Sequence, residues 1–511
     1  MNIALISPFP DITSFGLRTI SACLKKEGHD VKVLFLQNHF WSKYEDSSLD
    51  ETVDLLKDCD LIGLTLMSNF WDNSVQITER LKKDLDAPII WGGVHPTIRP
   101  EECIERGGAD IVCIGEGEET LVELVKRMEK GDDYHLLEGI AVRNDGKIVV
   151  NKPRPLIVDL DKVPFQDYDY ETHYVLDGKA LVKMTPMYLE KHSQRAYVTM
   201  PTRGCPFGCT FCVNDNLNKM FAGQPIVRKR SMANVLEELK EVKRTLPHVE
   251  HVYFDDDAFI LVSTEDIKEF CEGYKEHINL PLSVTGITPA TLRRDKLAPL
   301  VDAGVAFIRM GIQSANETTK AEYKRNYSNK KVESSAALIN EFKDQIGAPQ
   351  YDIILDNPWE TDEHLEETLM MLAKLPAPYH LGFYSLTFYP GTDLYDKAKE
   401  DGILKDGFEY DLNDVYRKFY AGIEKTYLNK VFLLLNASVG EISPATMSLL
   451  LNKTLRKLKL GWVFYGMLSL KYLKPIRLVL EASKDLSRGD FFRIKRWLRR
   501  ALNMRMSMFA N

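Results

Sequence analysis

Long uncharged runs are missing from this 511-residue sequence. The longest uncharged stretch in its apolar C-terminal region, Leu460 to Leu470, falls short of the roughly 18 residues that span a bilayer, so no transmembrane helix is expected. The N-terminus, Met1-Asn-Ile-Ala-Leu-Ile-Ser-Pro, lacks a basic lead and a small-residue cleavage site. A secretory signal is therefore not expected, and the expected location is the cytoplasm. Positive charge is also short: 66 Lys and Arg against 74 Asp and Glu leave a net charge of −8, which gives no general basic field for a nucleic-acid partner. No G-x-G-x-x-G turn with an acidic partner is present, which weakens a nicotinamide reading. Cysteine is sparse, eight in all, and no second C-x2–4-C pair exists to complete a structural zinc site. The 44% hydrophobic and 27% charged composition excludes collagen-like and low-complexity chains. At about 100 to 200 residues per domain, the length implies about three units.

What is present begins with a rhythm. Residues 2–6, 30–36, 60–66, 87–91 and 110–114 are short apolar runs separated by helical patterns with Gly or Pro at the junctions. Successive βαβ units with a buried parallel sheet follow, giving a Rossmann-like α/β domain over residues 1–150 and a linker over 151–195. A ligand of such a sheet sits beyond the carboxyl ends of its strands. The loops there carry Gly92, Gly93, Gly115 and Gly117, which let backbone approach a large flat cofactor or a phosphate, or which simply make βα turns. His95 and Glu116 lie in the same loops; the plainest expectation for His95 is a loop histidine hydrogen-bonded to backbone.

Three cysteines are not scattered. Strand-like Ala196–Met200 leads into Cys205, Cys209 and Cys212, spaced C-x3-C-x2-C on a loop that Gly204 and Gly208 allow to curve. Three clustered thiolates in a reducing compartment fit a 4Fe-4S cluster with one iron left open better than they fit zinc. Strand-like segments then recur at 251–254, 282–285, 305–312, 351–355 and 382–386, with helical patterns between them. These six units describe a partial (β/α)6 barrel of TIM type over 196–395, with chemistry expected at the carboxyl ends of its strands. Asp255-Asp256-Asp257, Gln313-Ser314 and the turn containing Glu360 fall at those ends, although three consecutive Asp also suit a solvated turn.

The cysteine loop resembles that of the radical S-adenosylmethionine enzymes. The resemblance implies that Cys205, Cys209 and Cys212 hold a 4Fe-4S cluster, and that S-adenosylmethionine bound at the open iron yields a 5′-deoxyadenosyl radical. In order, Asp255, Asp256 and Asp257 would bind the methionine amino group, Gln313 and Ser314 its carboxylate or the ribose, and the turn at Glu360 would approach the adenine. Arg230 resembles a recurrent arginine of the family and reads equally as a surface cation. One departure stands out: relatives usually have Gly-x-Pro-Gly-Glu-Thr where this chain has Asp356-Asn-Pro-Trp359-Glu-Thr361, so the adenine contact would be remodelled or Trp359 would face substrate.

An α/β domain before such a barrel is similar to the cobalamin-binding branch of this superfamily, the branch of anaerobic magnesium-protoporphyrin ester cyclase and the class B radical methyltransferases. Gly-Gly-Val-His-Pro-Thr97, Gly-Glu-Gly-Glu-Glu119 and Asp-Leu-Asp-Lys-Val-Pro164 carry that likeness. It implies cobalamin at Gly92, Gly93, His95, Gly115, Glu116 and Gly117, without the Asp-x-His-x-x-Gly motif of histidine ligation. It further implies a reductant such as flavodoxin or ferredoxin, a small-molecule or lipid substrate, and either methylation of an unactivated carbon or an oxidative cyclisation or rearrangement. A metal-binding protein without catalysis on the same fold is the competing class. Cys271 is the last cysteine, so an auxiliary cluster domain is excluded.

Residues 396–511 lose the βα rhythm and form a basic helical region. Leu451 to Asn511 holds 15 Lys and Arg against three acids, a charge of +12 that leaves −20 for the rest. Leu449–Leu460 and Phe491–Met508 can each be drawn as basic amphipathic helices. Three expectations stand for them: contact with an anionic inner membrane face, a cap over the barrel mouth, and docking onto the acidic body.

Overall fold

The computed structural model describes residues 1–404, 423–458 and 460–471; the expected helix Phe491–Met508 lies outside them. Five parallel strands, β1 (Asn2–Ser7), β2 (Asp30–Phe35), β3 (Leu61–Thr65), β4 (Ile89–Gly92) and β5 (Ile111–Cys113), form the heart of a first sheet ordered β5-β4-β3-β1-β2. The chain leaves β1 in one direction and β3 in the other, so the order reverses beside β1. Both faces are covered, and alternate side chains enter separate cores. Ile3, Leu5, Val31 and Val33 point to one, Ala4, Ile6 and Leu34 to the other.

This sheet is larger than expected. Strands β6 (Ile140–Asn144) and β7 (Lys147–Val150) extend one edge antiparallel, and β8 (His173–Asp177) and β9 (Ala180–Lys183) add a hairpin beyond β2. The stretch 151–195 is thus no plain linker: β8 pairs parallel with β2. Asp167 fastens it, accepting from Ser21 Oγ at 2.5 Å and His173 Nε2 at 3.2 Å and pairing with Lys25 Nζ at 2.9 Å. Burial opposes the charge on Asp167, but these donors outweigh it and hold its carboxyl well below the ordinary value.

The second sheet has six parallel strands in chain order: β10 (Ala196–Thr199), β13 (His251–Phe254), β14 (Leu282–Ile287), β15 (Val305–Gln313), β16 (Gln350–Leu355) and β17 (His380–Ser385). A two-residue ribbon, β11 (Thr202–Arg203) with β12 (Arg228–Lys229), precedes and follows the cysteine loop. One apolar cluster runs from Ile3, Leu5 and Phe35 through to Tyr197, Val235 and Val252, so the two sheets share a core.

The helix Tyr427–Ala437 covers the terminal strand β17, with Phe432 edge-on to Phe383 at 6.2 Å, and Asn436 Oδ1 accepts the Leu381 amide at 2.9 Å. An otherwise open sheet edge is thereby closed. The expected single helix over Leu449–Leu460 is instead divided. Pro444–Leu451 ends at Asn452, whose side chain accepts the Thr454 and Leu455 amides and starts a new turn, Lys453–Lys457. Lys453 pairs with Glu363, and Arg456 with Asp362 and Glu366, so this segment docks onto the acidic helix Asp362–Leu372.

Candidate active site

The carboxyl ends of both sheets face a common cavity of about 360 Å³. Its first-domain wall includes Gly63, Gly92, Gly93, Gly115 and Gly117 beside apolar residues such as Phe15, Ile20 and Leu121; its barrel wall includes Gly204, Asn214 and Asp257. Gly93 has φ +108°, and a Cβ there would come within 2.7 Å of the Leu66 carbonyl oxygen. The turn exists because glycine occupies it. His95, by contrast, is absent from the cavity wall. It is fully buried within the short helix Val94–Ile98, its Nδ1 2.9 Å from Ser68 Oγ and its ring 5.1 Å from Trp71. Burial, then Arg99, lowers its pKa to about 4, which keeps the ring neutral. Its partner is a side chain rather than backbone, and it supplies nothing to the cavity.

Glu116 lines the cavity, but its carboxylate is already engaged. Oε1 accepts from Arg203 Nη1 at 3.1 Å and Arg228 Nη1 at 2.8 Å, and Oε2 accepts the Ile157 amide at 2.8 Å. Burial works against ionisation, yet the two arginines keep its pKa below the ordinary value. The turn Gly115–Gly117 therefore offers a ligand its glycine backbone rather than a free carboxylate.

The cysteine loop starts where β11 ends. Gly204 has φ +84°, and a Cβ on it would lie 2.1 Å from the Ile226 carbonyl oxygen. Asn218 Nδ2 donates to the Cys205 carbonyl at 2.9 Å, and the Leu394 amide donates to the Thr210 carbonyl at 3.0 Å. The helix Val213–Met220 begins directly after Cys212, with its positive end toward the loop. Burial pushes the Cys205 thiol up to about 11 and the Cys212 thiol up to about 12. Among the described residues no three His, Cys, Asp or Glu side chains close on one metal-ion position. Three thiols on one short loop could each bind a different iron of a cluster, whereas a structural zinc site needs a fourth ligand.

The three aspartates part company. Asp256 is buried and receives the Thr202 amide and hydroxyl at 2.6 Å, and the Ala258 and Phe259 amides at 2.7 and 2.6 Å. With four donors it binds β11 to the turn and has no room for a ligand, contrary to expectation. Asp257 opens to the cavity and accepts Asn214 Nδ2 at 2.9 Å. Asp255 reaches the barrel mouth; burial raises its pKa and Arg309 counters it.

Gln313, at the end of β15, takes a left-handed φ of +63°, and its buried Oε1 has no protein donor. Ser314 Oγ donates to Glu360 Oε1 at 3.1 Å, while Glu360 Oε2 is buried without a partner. Unpaired buried acceptors fit donors of a bound ligand. Burial pushes the Glu360 carboxyl up to about 7, against hydrogen bonds from Thr319 and Ser314.

Two models of known families match: the B12 binding domain over residues 1–125 and the radical SAM superfamily over 199–372. The chain is a B12-binding radical SAM protein. An uncharacterised methyltransferase of Pyrococcus horikoshii is 26% identical over 501 residues, covering 96% of this chain and 93% of that one. Anaerobic magnesium-protoporphyrin IX monomethyl ester cyclase of Rubrivivax gelatinosus is 26% identical over 80% of this chain and 72% of its own length. Among solved structures, the cobalamin-dependent S-adenosylmethionine radical enzyme OxsB with aqua-cobalamin and S-adenosylmethionine bound has the same fold, with a TM-score of 0.68 at 17% identity over 98% of this chain and 83% of that one. The cofactors of this B12-binding radical SAM protein are therefore cobalamin, a 4Fe-4S cluster and S-adenosylmethionine.

In this radical SAM barrel Trp359 is absent from the cavity wall. Its Nε1 donates to Asp401 at 2.8 Å, its ring lies under Lys397 Nζ at 3.6 Å and meets Phe388 edge-on. The left-handed residue of the turn is Asp356, with φ +60°, at the position of the usual first glycine. Arg230 is buried and pairs with Glu238 at 2.7 Å, where Tyr197 and Thr199 also donate, so it is no surface cation. Sequence reasoning passed over Arg309, which donates to Asp352 at 2.6 Å and Tyr384 at 2.5 Å across β15–β17. It also passed over Arg203, although that residue stands two positions before Cys205.

Proposed function

We propose that this cobalamin-dependent radical SAM enzyme methylates an unactivated carbon of a small-molecule or lipid substrate, with Cys205, Cys209 and Cys212 holding the cluster. The observation that carries the reading is a cavity walled by first-domain glycines on one side and, on the other, by Asp257 with Gly204 and Asn214, which flank the cysteine loop. When bound, the cluster with S-adenosylmethionine supplies a 5′-deoxyadenosyl radical, and cobalamin supplies a methyl group. The residues here do the rest. Gly92, Gly93, Gly115 and Gly117 admit cobalamin, and Asp257 with Asp255 faces the methionine ammonium group. Gln313 and Glu360 offer their unpaired oxygens to donors of the nucleoside or the amino acid. Methyl transfer is favoured by the name of the Pyrococcus relative; oxidative cyclisation, the activity in the name of the Rubrivivax relative, is the second reading. A reductant such as flavodoxin or ferredoxin would supply the electron, and a 4Fe-4S cluster held by three cysteines would call for handling without oxygen.

Anaerobic reconstitution tests it. About four irons per chain, a corrinoid spectrum and 5′-deoxyadenosine on reduction are expected. Cys209→Ala should abolish the 5′-deoxyadenosine. A variant that keeps full production overturns the assignment of the cluster to these cysteines, and a wild-type protein that binds iron yet cleaves no S-adenosylmethionine favours the non-catalytic class.

The C-terminal segment bears on location. No described helix is long and apolar enough to cross a membrane. The helix Leu460–Lys471 nevertheless turns Leu460, Val463 and Met467 outward, 42%, 56% and 62% exposed, within a stretch (451–480) that carries seven cations and no acid. Peripheral contact with an anionic membrane surface is the reading this combination supports.

A further inference from the structure

The ribbon β11–β12 places Arg203 directly opposite Arg228, two like charges on neighbouring strands only two residues long. Facing like charges destabilise such a pair, and so short a ribbon has few hydrogen bonds to resist them. Their neutralisation comes from the other domain. Glu116 takes hydrogen bonds from both guanidinium groups, and Glu118 pairs with Arg203 Nη2 at 2.6 Å. Arg203 is followed at once by Gly204 and Cys205, while Glu116 sits between Gly115 and Gly117 of the cavity wall. Arg203 and Gly204 line that one cavity together with Gly115, Glu116, Gly117 and Glu118, and Cys205 follows next in the chain.

We propose that Glu116 is a positioning residue: by neutralising Arg203 and Arg228 it fixes the start of the cysteine loop against the cavity wall, so that corrinoid binding and cluster binding are coupled. The inference rests on the cofactor reading above and adds a residue-level cause for communication between the sites. A ligand that settles the Gly115–Gly117 turn holds Glu116, which holds the ribbon and the first cysteine. Thermodynamic reciprocity requires that a bound cluster strengthens corrinoid binding by the same factor.

The test is a spectral titration of the full-length protein with hydroxocobalamin, in iron-free and cluster-reconstituted forms. Wild type should bind more tightly with the cluster, by about fivefold or more. Glu116→Gln should bring the ratio to one and retain less iron after desalting. Adding Arg203→Gln removes one of the two facing cations and should recover iron in the double variant; that rescue also answers for a single variant that folds poorly. A Glu116→Gln protein with the wild-type ratio, or a double variant no better than a folded single one, overturns the proposal. Wild type that binds both groups with a ratio of one overturns the coupling alone. Wild type that binds neither overturns the cofactor reading and this inference with it.

Discussion

Glu360 has one oxygen on Ser314 and one buried with no partner, so its negative charge is poorly compensated. Burial, which Thr319 and Ser314 only partly offset, pushes its pKa up to about 7, against an ordinary 4.5. Between those values the unfolded chain is ionised and the folded one protonated. The folded state binds the extra proton, and stability falls as pH rises through this window, by at most on the order of 3 kcal/mol. Glu360→Gln mimics the protonated form. Its thermal midpoint should change little between pH 5 and pH 8, whereas the wild-type midpoint should drop by several degrees more. Equal drops would show that the Glu360 charge is compensated in the fold. The Cys205–Cys212 spacing made the cluster loop legible, because few other uses of three thiols need it. The division of labour among Asp255, Asp256 and Asp257 was not legible. Adjacent residues of one type differ only in what the backbone turns toward them, and Asp256 is turned onto Thr202.

At the scale of elements, the six barrel strands were readable from apolar runs at regular intervals. Strands β8 and β9 were not, because both are short, β9 is half-exposed, and β8 pairs with a strand more than a hundred residues earlier in the chain. The turn after β16 illustrates how the C-terminal region is attached. Asp356, in a left-handed conformation that glycine would adopt at no cost, accepts from Ser385 Oγ at 2.6 Å, Asn429 Nδ2 at 2.7 Å and the Glu424 amide. The backbone strain is offset by these bonds, which tie the barrel to the helix Tyr427–Ala437. Asp356→Ala keeps the strain and removes the bonds, so a loss of about 2 to 3 kcal/mol is expected. Limited proteolysis near residue 424 should accelerate in that variant while the iron content stays at the wild-type value. Unchanged proteolysis would mean that apolar packing of Phe432 and its neighbours is sufficient to hold the helix.

Across the whole molecule, a net charge of −8 resolves into an acidic body and a basic end, and the structure shows part of that end used internally. Lys453 and Arg456 are already paired with Glu363, Asp362 and Glu366, so they are less available to lipid headgroups. The helix Leu460–Lys471 is apolar on both sides: Gly461, Tyr465 and Leu468 face the protein, while Leu460, Val463 and Met467 face outward. A helix with no polar face has its outer stripe covered in use. An anionic bilayer matches both the apolar stripe and the cations that flank it in the sequence. The protein should therefore sediment with vesicles containing phosphatidylglycerol and not with neutral ones, and about 0.5 M salt should release part of it, since the Debye length then falls to a few ångströms. Val463→Glu with Met467→Glu should abolish binding at low salt while leaving 5′-deoxyadenosine production intact. If the double variant still sediments, cations elsewhere in the basic end carry the attraction without this stripe. If wild type forms concentration-dependent dimers that the variant loses and neither binds vesicles, the stripe is covered by a second copy of the chain.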